Sequence, residues 1–121
     1  MTNEETYQIM KAAFETYNTL KPGYLESVYE AALEWELLQA GFAVRRQVRI
    51  PVFYKGVELK KDFYADMIVN DRIILELKAV SSLKPIHEKQ LKSYMKSTGL
   101  SEGILINFGN LRKVEWKYFH S

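Results

Sequence analysis

The sequence contains no cysteine, so disulfide bonds and thiolate zinc sites are excluded. It has no run of about 18 apolar residues, so no segment is predicted to cross a membrane as a helix. Its start, MTNEETYQIM, lacks the basic residues and the apolar stretch of a signal peptide. There is also no glycine-rich phosphate loop and no serine nucleophile motif. These absences favour a cytoplasmic protein without a membrane partner.

The chain is short and uniform in composition, without repeats, linkers or low-complexity tracts. Its 121 residues, of which 47% are hydrophobic and 26% charged, suffice for one core. We therefore predict a single domain over residues 1–121.

Helical spacing of apolar residues predicts two helices in the first third of the chain. Thr2 and Glu5 form a capping box for the first helix, and Lys21-Pro22-Gly23 ends it. The second helix is predicted over residues 25–40, with Gly41 as its stop.

Strand patterns follow, and Pro51 limits the first strand to a sheet edge or a bulge. A third helix is predicted from Pro85 to Gly99. The strands are predicted at residues 42–54, 57–69, 72–78, 103–108 and 114–119. The order α-α-β-β-β-α-β-β indicates an α/β or α+β domain.

Basic residues concentrate between positions 45 and 61, where six of them accompany a single acid, Glu58. Such a segment either faces phosphates or forms a solvated sheet edge. Both interpretations stay open on charge alone. The candidates for nucleic-acid contacts are Arg45, Arg46 and Arg49.

The triplet Glu76-Leu77-Lys78 lies in a strongly apolar strand, where an uncompensated charged pair is costly. The pattern Glu-x-Lys is weak, because chance predicts roughly one in a chain with this many glutamates and lysines. Two further copies begin at Glu58 and Glu115. Only Glu76 follows a strand that carries another acid, Asp66.

Strand parity decides whether Asp66 meets Glu76. A two-residue loop at Asn70-Asp71 would put Asp66 on the wrong face, whereas a loop of three residues pairs it with Glu76. In the second case two carboxylates and the Lys78 ammonium converge. Such oxygen ligands suit Mg²⁺ or Mn²⁺. The alternative is a cross-strand salt-bridge cluster.

Two helices carry further candidates. Glu26 lies at the margin of the buried face of the second helix, either near this site or as a first-turn acid that complements the helix dipole. On the third helix, His87, Gln90 and Tyr94 share one face. They form either a site that binds a phosphate or a water, or an ordinary polar stripe.

Residues 23–29 read G-x-x-E-x-x-Y, and the chain resembles the prokaryotic GxxExxY proteins from about residue 21 to residue 108. Other matching stretches are Arg46-Gln47, residues 50–52 and 54–56, the strand of Asp66, residues 75–80, His87-Glu88 with Gln90-Leu91, and residues 104–109. That family is placed in the PD-(D/E)XK nuclease superfamily. The resemblance implies a restriction-endonuclease-like αβββαβ core with a mixed four-stranded sheet, here preceded by an extra N-terminal helix.

The resemblance also assigns roles. Asp66, Glu76 and the Leu77 backbone carbonyl would bind the metal, Glu26 would add an acid, and Lys78 would be the catalytic lysine. Gln90 and Tyr94 match the Q-x-x-x-Y motif of the RecB-like and lambda-exonuclease-like branches. Ala65 stands where the superfamily name has proline. The candidates for nucleic-acid binding are the three arginines together with Tyr29 and His87. Tyr29 is also a candidate for the hydrophobic core.

The implied function is Mg²⁺-dependent or Mn²⁺-dependent hydrolysis of phosphodiester bonds in nucleic acid, with DNA as the expected substrate. The alternative is a non-catalytic nucleic-acid-binding or regulatory module on the same fold. A domain of this size leaves little room for substrate selectivity, which favours a homodimer or a partner protein.

Overall fold

The computed structural model of this chain describes residues 3–121. It contains helices α1 (Asn3–Leu20), α2 (Glu26–Gln39) and α3 (Pro85–Thr98). Its strands are β1 (Val44–Tyr54), β2 (Val57–Val69), β3 (Ile73–Lys78), β4 (Glu102–Asn107) and β5 (Glu115–His120). The predicted order is confirmed, and most boundaries agree within two residues. The predicted capping box depends on Thr2, which lies outside the described residues.

The five strands form one mixed sheet in the order β1-β2-β3-β4-β5. Strands β3 and β4 are parallel, and the other neighbours are antiparallel. A parallel pair needs a crossover, which α3 provides. The αβββαβ core is therefore confirmed from α2 to β4, with α1 before it and β5 as an additional edge strand.

Alternation along β3 divides its side chains between two layers. Leu75 and Leu77 join the larger core beneath α1 and α2, whereas Ile74 packs into the smaller core beneath α3. Glu76 and Lys78 have the parity of Ile74. Both therefore project from one face of the sheet, as predicted, and this is the face that α3 covers.

Proline and glycine occupy the positions that their backbones favour. Pro51 lies in the edge strand β1 at a shift in register between Ile50 and Val52, so both expectations for this proline are confirmed. Gly99 ends α3 in the left-handed conformation, at φ 75°. No helix within residues 3–121 combines the length and the apolar character needed to cross a membrane.

Candidate active site

The loop between β2 and β3 has the odd length that the site requires. Val69 pairs with Ile73, so residues 70–72 form the loop. Asn70 and Asp71 adopt positive φ angles of 54° and 53°, a conformation that Asn and Asp tolerate better than most residues. The Arg72 N–H closes this turn on the Val69 carbonyl at 3.0 Å. Arg72 then becomes the extra residue that shifts the register by one.

This register places Asp66 opposite Glu76. The backbone pairs run inward from the loop only as far as Met67 and Leu75. Beyond them, the Asp66 N–H donates to Glu76 Oε1 at 3.1 Å, and the Leu77 N–H donates to Asp66 Oδ2 at 2.8 Å. Two carboxylates thus replace the carbonyl acceptors of the strand ladder, which fixes both side chains at the gap between β2 and β3.

Negative charge is concentrated at this gap. Burial, followed by the charge of Asp66, raises the pKa of Glu76 to about 8. Burial also raises the pKa of Asp66, against the hydrogen bond from Leu77, and the charges of Glu30 and Glu26 add to the increase. A cation at the gap would favour the ionised form of both carboxyl groups.

The donor atoms at the gap fit a hard divalent cation. In a strand, the N–H and C=O of one residue point to the same neighbour and alternate with those of the next residue. The Lys78 carbonyl accepts from Phe108 N at 2.8 Å on the β4 side, whereas the Leu77 N–H faces Asp66 on the β2 side. The Leu77 carbonyl therefore points toward the two carboxylates. Carboxylate and carbonyl oxygens are the ligands that Mg²⁺ and Mn²⁺ prefer.

A hydrogen-bonded chain runs from the gap to α3. Lys78 Nζ donates to Gln90 Oε1 at 3.2 Å, and Gln90 Nε2 donates to the Tyr94 hydroxyl at 3.1 Å. Burial, followed by the charge of Glu76, raises the pKa of Tyr94, so its hydroxyl stays protonated. Because that oxygen already accepts from Gln90, its proton is available to a further acceptor.

Sequence and structure comparisons identify the superfamily and support the fold. A family model described as the PD-(D/E)XK nuclease superfamily matches residues 3–119. The chain belongs to this superfamily. Its fold resembles the solved crystal structure of SSO0001, with a TM-score of 0.61 and 21% sequence identity over 79% of this chain. The chain spans 50% of the length of that protein. Comparison with curated proteins gave no match.

Among the superfamily candidates, Glu26 has the loosest connection to the gap. It is the exposed first residue of α2, and its charge raises the pKa of both Asp66 and Glu76. Within residues 3–121, no hydrogen bond joins it to either carboxylate, and no three acidic or histidine side chains form a group that could hold a metal. The structure thus places Glu26 within electrostatic range of the gap but not in contact with it.

The three candidate arginines on β1 are paired with acids. Arg46 binds Glu30 at 2.8 Å and Glu34 at 3.0 Å. Arg45 binds Asp71 at 3.0 Å, and Arg49 binds Glu58 at 2.7 Å. This arrangement matches the sheet-edge interpretation, because each guanidinium would have to exchange a carboxylate for a phosphate.

The prediction that Tyr29 contacts nucleic acid is wrong. Its side chain is fully buried, and its ring stacks on Phe108 with 5.0 Å between the ring centroids. Its hydroxyl donates to the Lys21 carbonyl at 2.6 Å and accepts from Tyr24 N at 3.1 Å. Tyr29 therefore fixes the turn between α1 and α2, which explains its place in the G-x-x-E-x-x-Y string.

His87 is half-buried and caps α3. Its Nδ1 accepts from the Lys84 N–H at 3.0 Å. Burial, together with the positive charges of Lys78 and Lys84, lowers the pKa of His87, so the ring is neutral at physiological pH. The electrostatic effect of Lys78 shows that His87 lies at the border of the same cluster.

Sequence reasoning missed Gln47 and Glu30. Gln47 lies in β1 opposite Asp66, with a left-handed φ of 49°. Its Nε2 donates to Glu30 Oε1 at 2.9 Å and to Asp66 Oδ1 at 3.4 Å. The buried Glu30 shares a face of α2 with Leu33 and Leu37, so helical spacing could have identified it as a misplaced acid. No sequence pattern signals the backbone conformation of Gln47.

A second buried polar cluster positions the chain after Lys78. The Asn107 amide accepts from Val80 N at 2.9 Å and donates to Val80 O at 2.8 Å. It also donates to Glu115 Oε1 at 2.8 Å. A Cβ atom on Gly109 would lie 2.5 Å from the backbone of Ala79 and Val80, so only glycine allows this approach. Sequence analysis missed this cluster because the Glu-x-Lys triplet that begins at Glu115 is expected by chance.

Proposed function

We propose that this chain is a divalent-metal-dependent nuclease that hydrolyses phosphodiester bonds, with DNA as its substrate. The observation that carries the proposal is the meeting of Asp66 and Glu76 across the three-residue loop. Backbone hydrogen bonds fix both carboxylates in place, and Lys78 projects beside them from the same face of β3 as Glu76. Membership of the superfamily supports the reaction class.

Asp66, Glu76 and the Leu77 carbonyl would hold the cation. Burial first, and then the charge of neighbouring acids, raises the pKa of both carboxyl groups, and a bound Mg²⁺ or Mn²⁺ would favour their ionised form. When bound, such an ion supplies water activation and charge stabilisation at a phosphate. Glu26, within electrostatic range, adds a further acid on the α2 side of the gap.

Lys78 contributes the positive charge on the α3 side. Its ammonium is held by Gln90, which is itself oriented by Tyr94. From this position Lys78 stabilises negative charge on a phosphate oxygen, or takes part in proton transfer at the attacking water. The protonated hydroxyl of Tyr94 offers a second donor to the same phosphate.

The test is cleavage of labelled linear, circular and single-stranded DNA and of RNA, each with Mg²⁺, Mn²⁺ or EDTA. We expect cleavage of DNA with either metal and none with EDTA. Lys78→Ala should abolish cleavage. Lys117→Ala is the matched control, because Lys117 also ends a Glu-x-Lys triplet but is exposed and paired with Glu88 at 3.1 Å.

Metal-independent cleavage, or equal rates for the Lys78→Ala variant and the unchanged chain, would refute the mechanism. Metal-independent binding of DNA without any cleavage would instead identify the chain as a non-catalytic module on the nuclease fold.

A further inference from the structure

The β1–β2 hairpin extends well beyond the rest of the sheet. Strand β2 pairs with β3 only through Met67, Ile68 and Val69. In the described part of the chain, residues 57–65 of β2 pair with β1 alone. We call residues 48–65 the hairpin arm. It is a two-stranded ribbon whose inner end lies next to Asp66.

The hairpin arm exposes an unusual concentration of aromatic side chains. Phe53 and Tyr54 are 62% and 59% exposed, and Phe63 and Tyr64 are 41% and 42% exposed. Val57 between them is also exposed. Neighbouring residues of a strand point to opposite faces, so the arm presents aromatic rings on both of its faces. Exposed apolar side chains in such number mark a surface that another molecule covers.

The free charge on the hairpin arm is positive. Within residues 3–121, none of Lys55, Lys60 and Lys61 forms an ion pair, whereas both acids of the arm face Arg49. Lys55 Nζ lies 5.5 Å from the ring centroid of Tyr54, so an ammonium and an aromatic face are presented together at the tip. A polyanion that also offers flat apolar groups complements this surface.

We propose that the hairpin arm binds an unpaired strand of nucleic acid and leads it to the gap at Asp66. This proposal rests on the proposed function and specifies its substrate as single strands or single-stranded ends. Bases of an unpaired strand can stack on exposed aromatic rings while lysines contact the phosphates. In a duplex the base faces are already stacked on one another, so the arm gains only phosphate contacts.

The position of the hairpin arm supports this path. Tyr64 lies two residues from Asp66 along β2, or roughly 7 Å at the usual rise per residue. A strand whose phosphate lies at Asp66 would therefore meet Tyr64 first and the lysines farther out. The arginines at the inner end are neutralised by acids, so the free cations are those nearer the tip.

Binding is measured separately from cleavage. Fluorescence anisotropy in EDTA compares the affinity of the chain for a labelled single strand, a blunt duplex and a duplex with a single-stranded tail. We expect the single strand and the tailed duplex to bind more tightly than the blunt duplex. The double variant Phe53→Ser/Tyr54→Ser should weaken single-strand binding roughly tenfold or more and leave duplex binding nearly unchanged.

A charge variant separates stacking from phosphate contact. Lys60→Ala/Lys61→Ala should reduce the slope of log affinity against log salt by about 1.4 on single strands, or about 0.7 per lysine. The control is Trp35→Ser, which removes an aromatic of similar exposure from α2. Circular dichroism checks that each variant folds.

Equal affinity for single strands and blunt duplexes would overturn the proposal. So would unchanged single-strand affinity in both arm variants. Concentration-dependent self-association that disappears in Phe53→Ser/Tyr54→Ser, without any change in single-strand affinity, would assign the arm to contact with a second copy of the chain instead. Absence of metal-dependent cleavage alongside the expected binding differences would refute the proposed nuclease activity while leaving the role of the arm intact.

Discussion

Glu76 and Glu115 each begin a Glu-x-Lys triplet in a strand, yet their carboxylates lie in opposite electrical surroundings. Glu76 faces a second acid, and its pKa is raised to about 8. Partial burial alone would raise the pKa of Glu115, but hydrogen bonds from Asn107 and Leu83 lower it. Glu76 is buried beside another carboxylate, whereas Glu115 accepts hydrogen bonds from several donors.

The lysines of the two triplets differ in the same way. Lys78 is half-buried and held by Gln90, whereas Lys117 is exposed and paired with Glu88. Identical spacing therefore accompanies a cluster of two carboxylates and an ammonium in a central strand and a hydrogen-bonded structural anchor at the sheet edge. What separates them is the neighbouring strand: β2 brings an acid to Glu76, and β4 brings an amide to Glu115.

The largest expected effect is a loss of cleavage on changing Glu76. Glu76→Gln keeps the shape of the side chain but removes a charge at the proposed cation site, so the rate should fall by roughly 10²–10³-fold. Glu115→Gln keeps an acceptor for Asn107 and should leave the rate nearly unchanged. Initial rates with Mg²⁺ measure both. A similar loss in both folded variants would erase the distinction between the two triplets.

The pH dependence of stability should separate the two glutamates by sign. The folded pKa of Glu76, about 8, exceeds the unfolded value of 4.5, so the folded chain binds an additional proton between them. Its contribution to the free energy of unfolding is complete below about pH 4.5 and is lost as the pH rises through 8. Glu115 has a lowered pKa, so its contribution is lost as the pH falls through its folded pKa.

Thermal denaturation across this pH range tests the difference. Glu76→Gln should flatten the decline in stability between about pH 4.5 and 8, and Glu115→Gln should flatten the decline at acidic pH. Mg²⁺ should raise the melting temperature more at alkaline than at mildly acidic pH, because protons compete with the ion for Glu76. A pH-independent effect of Mg²⁺ would argue against binding at this pair.

Asn107→Ala should be the most destabilising change in the buried polar cluster formed by Asn107, Val80 and Glu115. Asn107 is fully buried, and its loss leaves the Val80 N–H and carbonyl and the Glu115 carboxylate without this partner. We expect a cost of about 2–4 kcal/mol in urea denaturation. Thr19→Ala, which removes an exposed hydrogen bond to Glu15 on α1, is the control. A cost near that of the control would contradict the anchoring role.

Substitutions of Gln47 should have smaller effects than those of Glu76 and Asn107. Two different substitutions separate the role of its side chain from the role of its backbone conformation. Both Gln47→Ala and Gln47→Gly remove the bond to Asp66, so apparent Mg²⁺ affinity should fall by roughly 10–100-fold in each. Glycine suits the left-handed backbone, so Gln47→Gly should be about 1 kcal/mol more stable than Gln47→Ala. Metal titrations and denaturation curves measure the two parts. Undiminished Mg²⁺ affinity in both variants would limit Gln47 to a backbone role.

Local patterns in the sequence were enough to predict the element order. Alternation along β3 placed Glu76 and Lys78 on one face, and Pro51 placed β1 at an edge. Helical spacing put Gln90 and Tyr94 side by side, and the structure joins them by a hydrogen bond. These features depend on neighbours in the chain, so a period of 2.0 or 3.6 residues suffices to reveal them.

Tertiary structure alone decided which acids meet and which charges are neutralised. The extra residue at Arg72 selected the partner of Asp66, and the left-handed Gln47 tied Glu30 to the same gap. The arginines of β1 became ion pairs, while Tyr29 became core. These outcomes depend on contacts between residues far apart in the chain and on burial, which sets whether a charge is screened by water. A Glu-x-Lys spacing carries no information about long-range contacts or burial, so the same pattern occurs at both Glu76 and Glu115.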